Sequence, residues 1–145
     1  MTDAPILLAE DNPDDVLLTR RAFAKNGFDN RIVAVSDGEE CLSLLLPEHG
    51  EPGLRPALLL LDINLPKIGG LDVLDRLRAD ERTSLLPVVV LTTSREPGDV
   101  LNCYLGGANS FVCKPVSFSS FVSMAGTLAS YWLEVNVPCP DPGTL

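Results

Sequence analysis

Residues 57–61 read Ala-Leu-Leu-Leu-Leu, an apolar run with no polar interruption that stops abruptly at Asp62. A half-exposed strand alternates apolar with polar residues. An unbroken apolar run bounded by turn residues is the pattern of a strand covered on both faces, and such strands belong to parallel sheets. Parallel neighbours cannot be joined by a tight turn and need a crossover of a dozen residues or more, usually a helix. This one run therefore asks the rest of the chain to alternate strand with helix.

The remaining segments meet that demand. Ile6–Ala9 is a short apolar run ending at Glu10, Asp11 and Asn12. Asn12 can cap a helix, Pro13 fits its first position, and Asp14 and Asp15 suit the positive end of the helix dipole. Asn26-Gly27 closes that helix. Residues 31–35 form a second strand and residues 39–46 a second helix, followed by a polar loop over 47–56 rich in Gly and Pro. After Asp62, the breakers Pro66, Gly69 and Gly70 precede a helix over 71–79. Residues 87–91 are a β-branched strand, Pro97–Leu105 a weaker helix, Ser110–Cys113 a last strand and residues 117–133 a last helix. Five strand–helix units with no repeat predict an α/β fold. It is a flavodoxin-like, doubly wound (βα)5 arrangement, with a five-stranded parallel sheet of order 2-1-3-4-5 and helices on both faces.

A chain of 145 residues suits one domain with one core. Its net charge of −9 argues against nucleic acid as a partner, because a phosphate backbone needs a basic face. The N-terminus has no signal-peptide pattern and no apolar run is long enough for a bilayer, so no membrane partner is expected and the cytoplasm is the simplest location. Cys41, Cys103, Cys113 and Cys139 lack metal-site or disulfide spacing and read as free thiols. His49 lies in the loop over 47–56 and reads as solvated.

In a sheet of this order, ligands bind beyond the carboxyl ends of the strands, at the switch point between strands one and three. Strand one ends in Glu10 and Asp11, strand three in Asp62, strand four in Thr92, and strand five just before Lys114. Four segments thus deliver their polar ends to one place. Three carboxylates there repel one another, which a divalent cation relieves. Mg2+ suits such oxygen donors, and Mn2+ can substitute. Asp11 and Asp62 are candidate direct ligands, Glu10 acts through water, and the Asn64 backbone carbonyl completes the set. Asp62 could then attack a phosphoryl donor and become an aspartyl phosphate, with the Thr92 hydroxyl and the Lys114 ammonium each holding a phosphoryl oxygen.

Five stretches in this order resemble the receiver domains of two-component response regulators: Leu8-Ala9-Glu10-Asp11-Asn12, Leu61-Asp62-Ile63-Asn64-Leu65-Pro66, Gly69-Gly70-Leu71, Val90-Leu91-Thr92-Thr93 and Phe111-Val112-Cys113-Lys114-Pro115. Singly each is weak; together they are specific. The resemblance implies that Asp62 is the phosphoacceptor, that Glu10 and Asp11 are the acidic pair, and that a sensor histidine kinase is the donor. It also implies a cis Lys114–Pro115 bond and a switch pair, Thr92 and Phe111, although an aromatic on an edge strand can equally be packing. Asn64 and Ser94 occupy the positions that tune dephosphorylation, and Thr93 stands where many receivers have Ala, which would restrict access to the site.

Asn12-Pro13-Asp14-Asp15, Leu91-Thr92-Thr93-Ser94 and the final Tyr131-Trp132-Leu133-Glu134 are similar to the small receivers that accompany bacterial phytochrome kinases. Two other functions compete. A Mg2+-dependent phosphatase of the haloacid dehalogenase type also uses an aspartate nucleophile, but it needs a second acid where Asn64 stands, and its nucleophile ends a first strand. A receiver-shaped adaptor without phosphorylation would be expected to lack residues that are all present here.

The receiver is expected over residues 1–134. Residues 135–145, a Pro-rich tail, are too few for an output domain and are a candidate dimerisation arm. The last helix carries more apolar residues than one buried stripe requires. A homodimer contact through Trp132, Leu133, Val135 and Val137 is the expectation, with the alternative that Trp132 and Leu133 pack under the chain's own sheet edge.

Overall fold

The computed structural model describes residues 2–28 and 31–140. Its elements are β1 (Ile6–Ala9), α1 (Pro13–Lys25), β2 (Ile32–Val35), α2 (Gly38–Leu45), β3 (Leu58–Leu61), α3 (Gly70–Ala79), β4 (Val88–Thr92), α4 (Pro97–Leu105), β5 (Ser110–Cys113) and α5 (Phe118–Ala129). All strand pairs are parallel, and the order is β2-β1-β3-β4-β5, as the sequence predicts. Ile6 lies level with Ile32 and Leu58, and Ala9 with Val35 and Leu61. Thr92 is level with Cys113.

The register sorts each strand's side chains between two cores, because successive residues point to opposite faces. Leu7, Ala9, Leu59, Leu61, Val88 and Val90 pack against Cys41 and Leu45 of α2, Val73, Leu74 and Leu77 of α3, and Cys103 of α4. Ile6, Leu8, Leu58, Leu60, Val89 and Leu91 pack against Ala22 and Phe23 of α1 and Phe121, Ala125 and Ala129 of α5. Helix starts follow the capping residues. Asn12 accepts from the N–H groups of Asp14 and Asp15, Asp37 from Glu40, and Ser117 from Ser120.

Most boundaries move by one residue from the sequence reading, and two of the differences matter here. β4 runs one residue further, to Thr92, whose backbone oxygen accepts from the Lys114 N–H at 2.8 Å. The last helix continues beyond Leu133 as a π-helical segment, Ser130–Val135, closed by the Asn136 N–H donating to the Tyr131 carbonyl at 2.6 Å. Leu133 is 0% exposed and belongs to the α1/α5 core, with its carbonyl accepting from the Thr2 N–H at 3.1 Å. This corrects its assignment as a dimer contact: burial in its own core satisfies the side chain without a partner. Trp132 is half-buried against the same core and edge-on to Tyr131, at 5.0 Å between centroids. Val135 and Val137 stay 64% and 87% exposed.

Candidate functional site

The carboxyl ends of β1, β3, β4 and β5 meet as the strand order requires. Asp62 follows β3 directly, and its N–H donates to the Ala9 carbonyl at 3.1 Å, continuing the ladder one step past the strand. Its side chain is buried and fully engaged. Oδ1 accepts from the Asn64 N–H at 3.0 Å and from the Thr92 hydroxyl at 3.2 Å. Oδ2 accepts from Lys114 Nζ at 3.3 Å.

Glu10 holds the equivalent place after β1. Its N–H donates to Val35, one carboxylate oxygen accepts from Lys114, and the other accepts from the Asn12 N–H at 3.2 Å. Asp11 is exposed beside it. Oxygens of Glu10, Asp11 and Asp62 all lie within 4.8 Å of one another. Hard carboxylate oxygens this close, two buried and one open to solvent, fit Mg2+ or Mn2+, ions that take oxygen ligands and keep some of their waters. When bound, such an ion would offset the repulsion among the three carboxylates and offer a positive centre to a phosphoryl oxygen.

Burial pushes the Glu10 carboxyl above the usual carboxylate range; its hydrogen bond to Lys114 only partly offsets this, and the Asp62 charge adds to the rise. Lys114 behaves differently. Burial alone would lower its pKa, but hydrogen bonds to Glu10 and Asp15 and the charges of Glu10 and Asp62 outweigh burial and raise it. One ammonium shared among several acids is stabilised by all of them, whereas each acid has only part of the ammonium.

The loop after Asp62 is held close by glycine. A Cβ on Gly70 would sit 2.5 Å from the Asp62 carbonyl oxygen and 2.6 Å from Ile63 Cα. The Gly70 N–H donates to the Ile63 carbonyl at 3.0 Å, so Gly70 serves the turn, in agreement with the sequence reading. Leu65 is buried in the α2/α3 core and ties the loop down.

On the β4 side, Thr92 is fully buried, and the Ser94 N–H approaches its hydroxyl oxygen at 3.5 Å. The Ser94 hydroxyl donates to Asp99 of α4 at 2.5 Å, while Thr93 is exposed. Phe111 lies level with Val90, half-buried against the core that β4 shares with α3 and α4. Pro115 follows Lys114, but no peptide bond among the described residues is cis. The expected cis Lys114–Pro115 bond is thus corrected to trans, the form X-Pro bonds ordinarily prefer.

Sequence reasoning gave Asp15 only a place in the first turn of α1. In the structure its Oδ2 accepts from Lys114 Nζ at 3.0 Å. Strand order already brings Lys114 to the rim where β1 ends, and α1 and α5 cover the same face of the sheet; the periodicity of α1 does not show that Asp15 would face that rim.

Residues 6–125 match the profile of the response regulator receiver domain. Over 131 residues, 90% of this chain and 84% of the relative, the chain is 39% identical to the probable methanogenesis regulatory protein FilR2 of Methanothrix harundinacea (strain 6Ac). Over 135 residues, 92% of each, it is 33% identical to the response regulator Rcp1 of Synechocystis. The Mn2+-bound form of Rcp1 superposes with a TM-score of 0.83 at 32% identity, over 94% of this chain and 99% of that one. The phosphorylated cyanobacterial phytochrome response regulator RcpA gives 0.84 at 29% identity, over 96% and 100%.

Proposed function

The chain belongs to the receiver domain family of response regulators, and on that premise we propose that Asp62 accepts a phosphoryl group from a sensor histidine kinase. The observation that carries this reading is the setting of the Asp62 carboxylate. One oxygen faces the Thr92 hydroxyl and the other the Lys114 ammonium, and Glu10 and Asp11 complete an oxygen cluster beside it. In the transfer, an Asp62 oxygen bonds to phosphorus as the bond from phosphorus to the donor breaks. The Lys114 ammonium and the Thr92 hydroxyl take up charge on the phosphoryl oxygens. Glu10, Asp11, Asp62 and the Asn64 carbonyl are the groups assigned to the cation.

Thr92 and Phe111 form the proposed switch, since both stand on the α3/α4 side of the sheet and Phe111 retains partial exposure to lose. Asn64, Thr93 and Ser94 line the approach and set how readily water reaches the phosphoryl group. Similarity to the cyanobacterial phytochrome response regulator RcpA supports a bacterial phytochrome as the kinase, and the cytoplasm is the location assigned with it. The receiver unit is assigned to residues 1–134 and a homodimer contact to Trp132, Val135 and Val137, with the tail from 135 as an arm. Among the described residues no helix is long and apolar enough to cross a membrane.

A phosphatase of the haloacid dehalogenase type is not favoured. Asn64 stands where that chemistry needs an acid, and Asp62 ends β3, the third strand in sequence. The deciding test is labelling by acetyl phosphate with Mg2+. The wild-type chain should acquire an acid-labile, hydroxylamine-sensitive phosphoryl group and Asp62→Asn should not. A variant that labels normally places the acceptor elsewhere.

A further inference from the structure

Lys114 ends a flexible four-carbon stem in the turn after β5, yet its side chain is 9% exposed and its ammonium makes three contacts. An ammonium has three donors, and here they go to Glu10, Asp15 and Asp62. Two of these partners change state in the reaction described above: Asp62 becomes an acyl phosphate, and Glu10 belongs to the oxygen cluster that fits the cation. Asp15 stands outside that cluster and does not react. It is mounted in the first turn of α1, where Asn12 Oδ1 accepts from its N–H at 3.4 Å and its carbonyl accepts from the buried Thr19 hydroxyl at 2.7 Å.

We propose that Asp15 is a positioning residue of the phosphoacceptor site, keeping one donor of Lys114 fixed on α1 so that another remains aimed at the phosphoryl position when Glu10 and Asp62 change partners. The inference rests on the acceptor reading of Asp62. Its physical basis is preorganisation. A lysine ammonium is a compact charge on a mobile stem, and a site that depends on it gains when its rotamer is settled beforehand. Asp15 thereby links the phosphoryl group to α1 through a single side chain.

Beryllium trifluoride with Mg2+ mimics the phosphoryl group without turnover, and its affinity can be followed by fluorine NMR. Asp15→Ala should weaken that affinity about threefold to tenfold, between what exposed and buried ion-pair partners contribute. Asp15→Asn keeps an acceptor oxygen and should recover part of the loss. With Lys114→Ala already in place, Asp15→Ala should cause no further loss, an outcome that a merely structural role would not give. Binding by Asp15→Ala as tight as wild type or tighter, or the same loss with and without Lys114, overturns the inference alone. A wild-type chain that takes up no beryllofluoride overturns the acceptor reading and this inference with it.

Discussion

The Thr92 hydroxyl donates to Asp62 Oδ1 at 3.2 Å across the seam between β3 and β4, with Thr92 wholly out of solvent. The same hydroxyl oxygen is approached by the Ser94 N–H, so the loop leading to α4 is tied to the residue that faces the acceptor. Phosphorylation would turn the Asp62 carboxylate into an acyl phosphate, whose phosphoryl oxygens would draw that hydroxyl toward them. Moving it would loosen the tie to Ser94 and, through Ser94, to Asp99 of α4.

Thr92→Val keeps the shape and removes the donor. The lost hydrogen bond costs about 0.5–1.5 kcal/mol, which the fold should tolerate. Labelling of Asp62 by acetyl phosphate should persist, while the chemical-shift changes that phosphorylation causes in residues 93–105 should largely vanish. Thr92→Ser should retain them. Full propagation in Thr92→Val would mean that the signal leaves the site by another route.

Metal dependence follows from the oxygen cluster. Chelation should stop labelling. Asp11→Ala should weaken Mg2+ binding by roughly ten- to a hundredfold, a scale that even outer partners of a metal site reach. The pH dependence has a defined sign. The Glu10 carboxyl is raised above 4.5, so the folded chain holds that proton more firmly than the unfolded chain. Its contribution to stability is present below that pH and is lost as pH rises through the folded value. Mg2+ answers the charge that then appears, so added Mg2+ should raise the Tm more at neutral pH than near pH 5. Ten times the Kd adds about 1.4 kcal/mol, worth a few degrees. An equal shift at both pH values would remove Glu10 from the metal site.

Gly70→Ala tests the tight loop. The added methyl would meet backbone of Asp62 and Ile63, which cannot swing aside as a side-chain tip can. We expect a loss of about 1–3 kcal/mol together with slower phosphorylation, because the atoms displaced are those that place the acceptor. Gly98→Ala, whose Cβ meets nothing within 4 Å, is the control and should leave labelling unchanged.

The strand–helix alternation and the sheet order were legible because the central strands β1, β3 and β4 are buried on both faces, which leaves a strong apolar signal. The meeting of Glu10, Asp62, Thr92 and Lys114 followed from the order alone. Two features were not legible for a shared reason: each depends on packing between residues distant in sequence. Asp15 reaches Lys114 across two intervening strands. Leu133 is indistinguishable by composition from its exposed neighbours until the π-helical segment turns it inward.

The end of the last helix carries the final prediction, because its residues divide cleanly between core and surface. Leu133 is 0% exposed and lies among Ile6, Phe121 and Ala129, so Leu133→Ala should cost about 2–5 kcal/mol in any oligomeric state. Val135 and Val137 are mostly exposed, flank Asn136 and lead into Pro138, which cannot extend the helix. Pro138 and Pro140 line a groove of about 220 Å3 with Leu54, Leu85 and Trp132, so an apolar strip runs from the helix end along the amino ends of the strands. Burying a large apolar side chain contributes roughly 1.5–3 kcal/mol, and a two-fold axis would use each contact twice. Val135→Asp with Val137→Asp should therefore convert a dimer to monomer in sedimentation at tens of micromolar (about the range where a modest interface shows). The variant's Tm, extrapolated to low concentration, should match that of the wild type. A wild-type chain that sediments as a monomer, or a doubly substituted chain that remains dimeric, removes these residues from the contact.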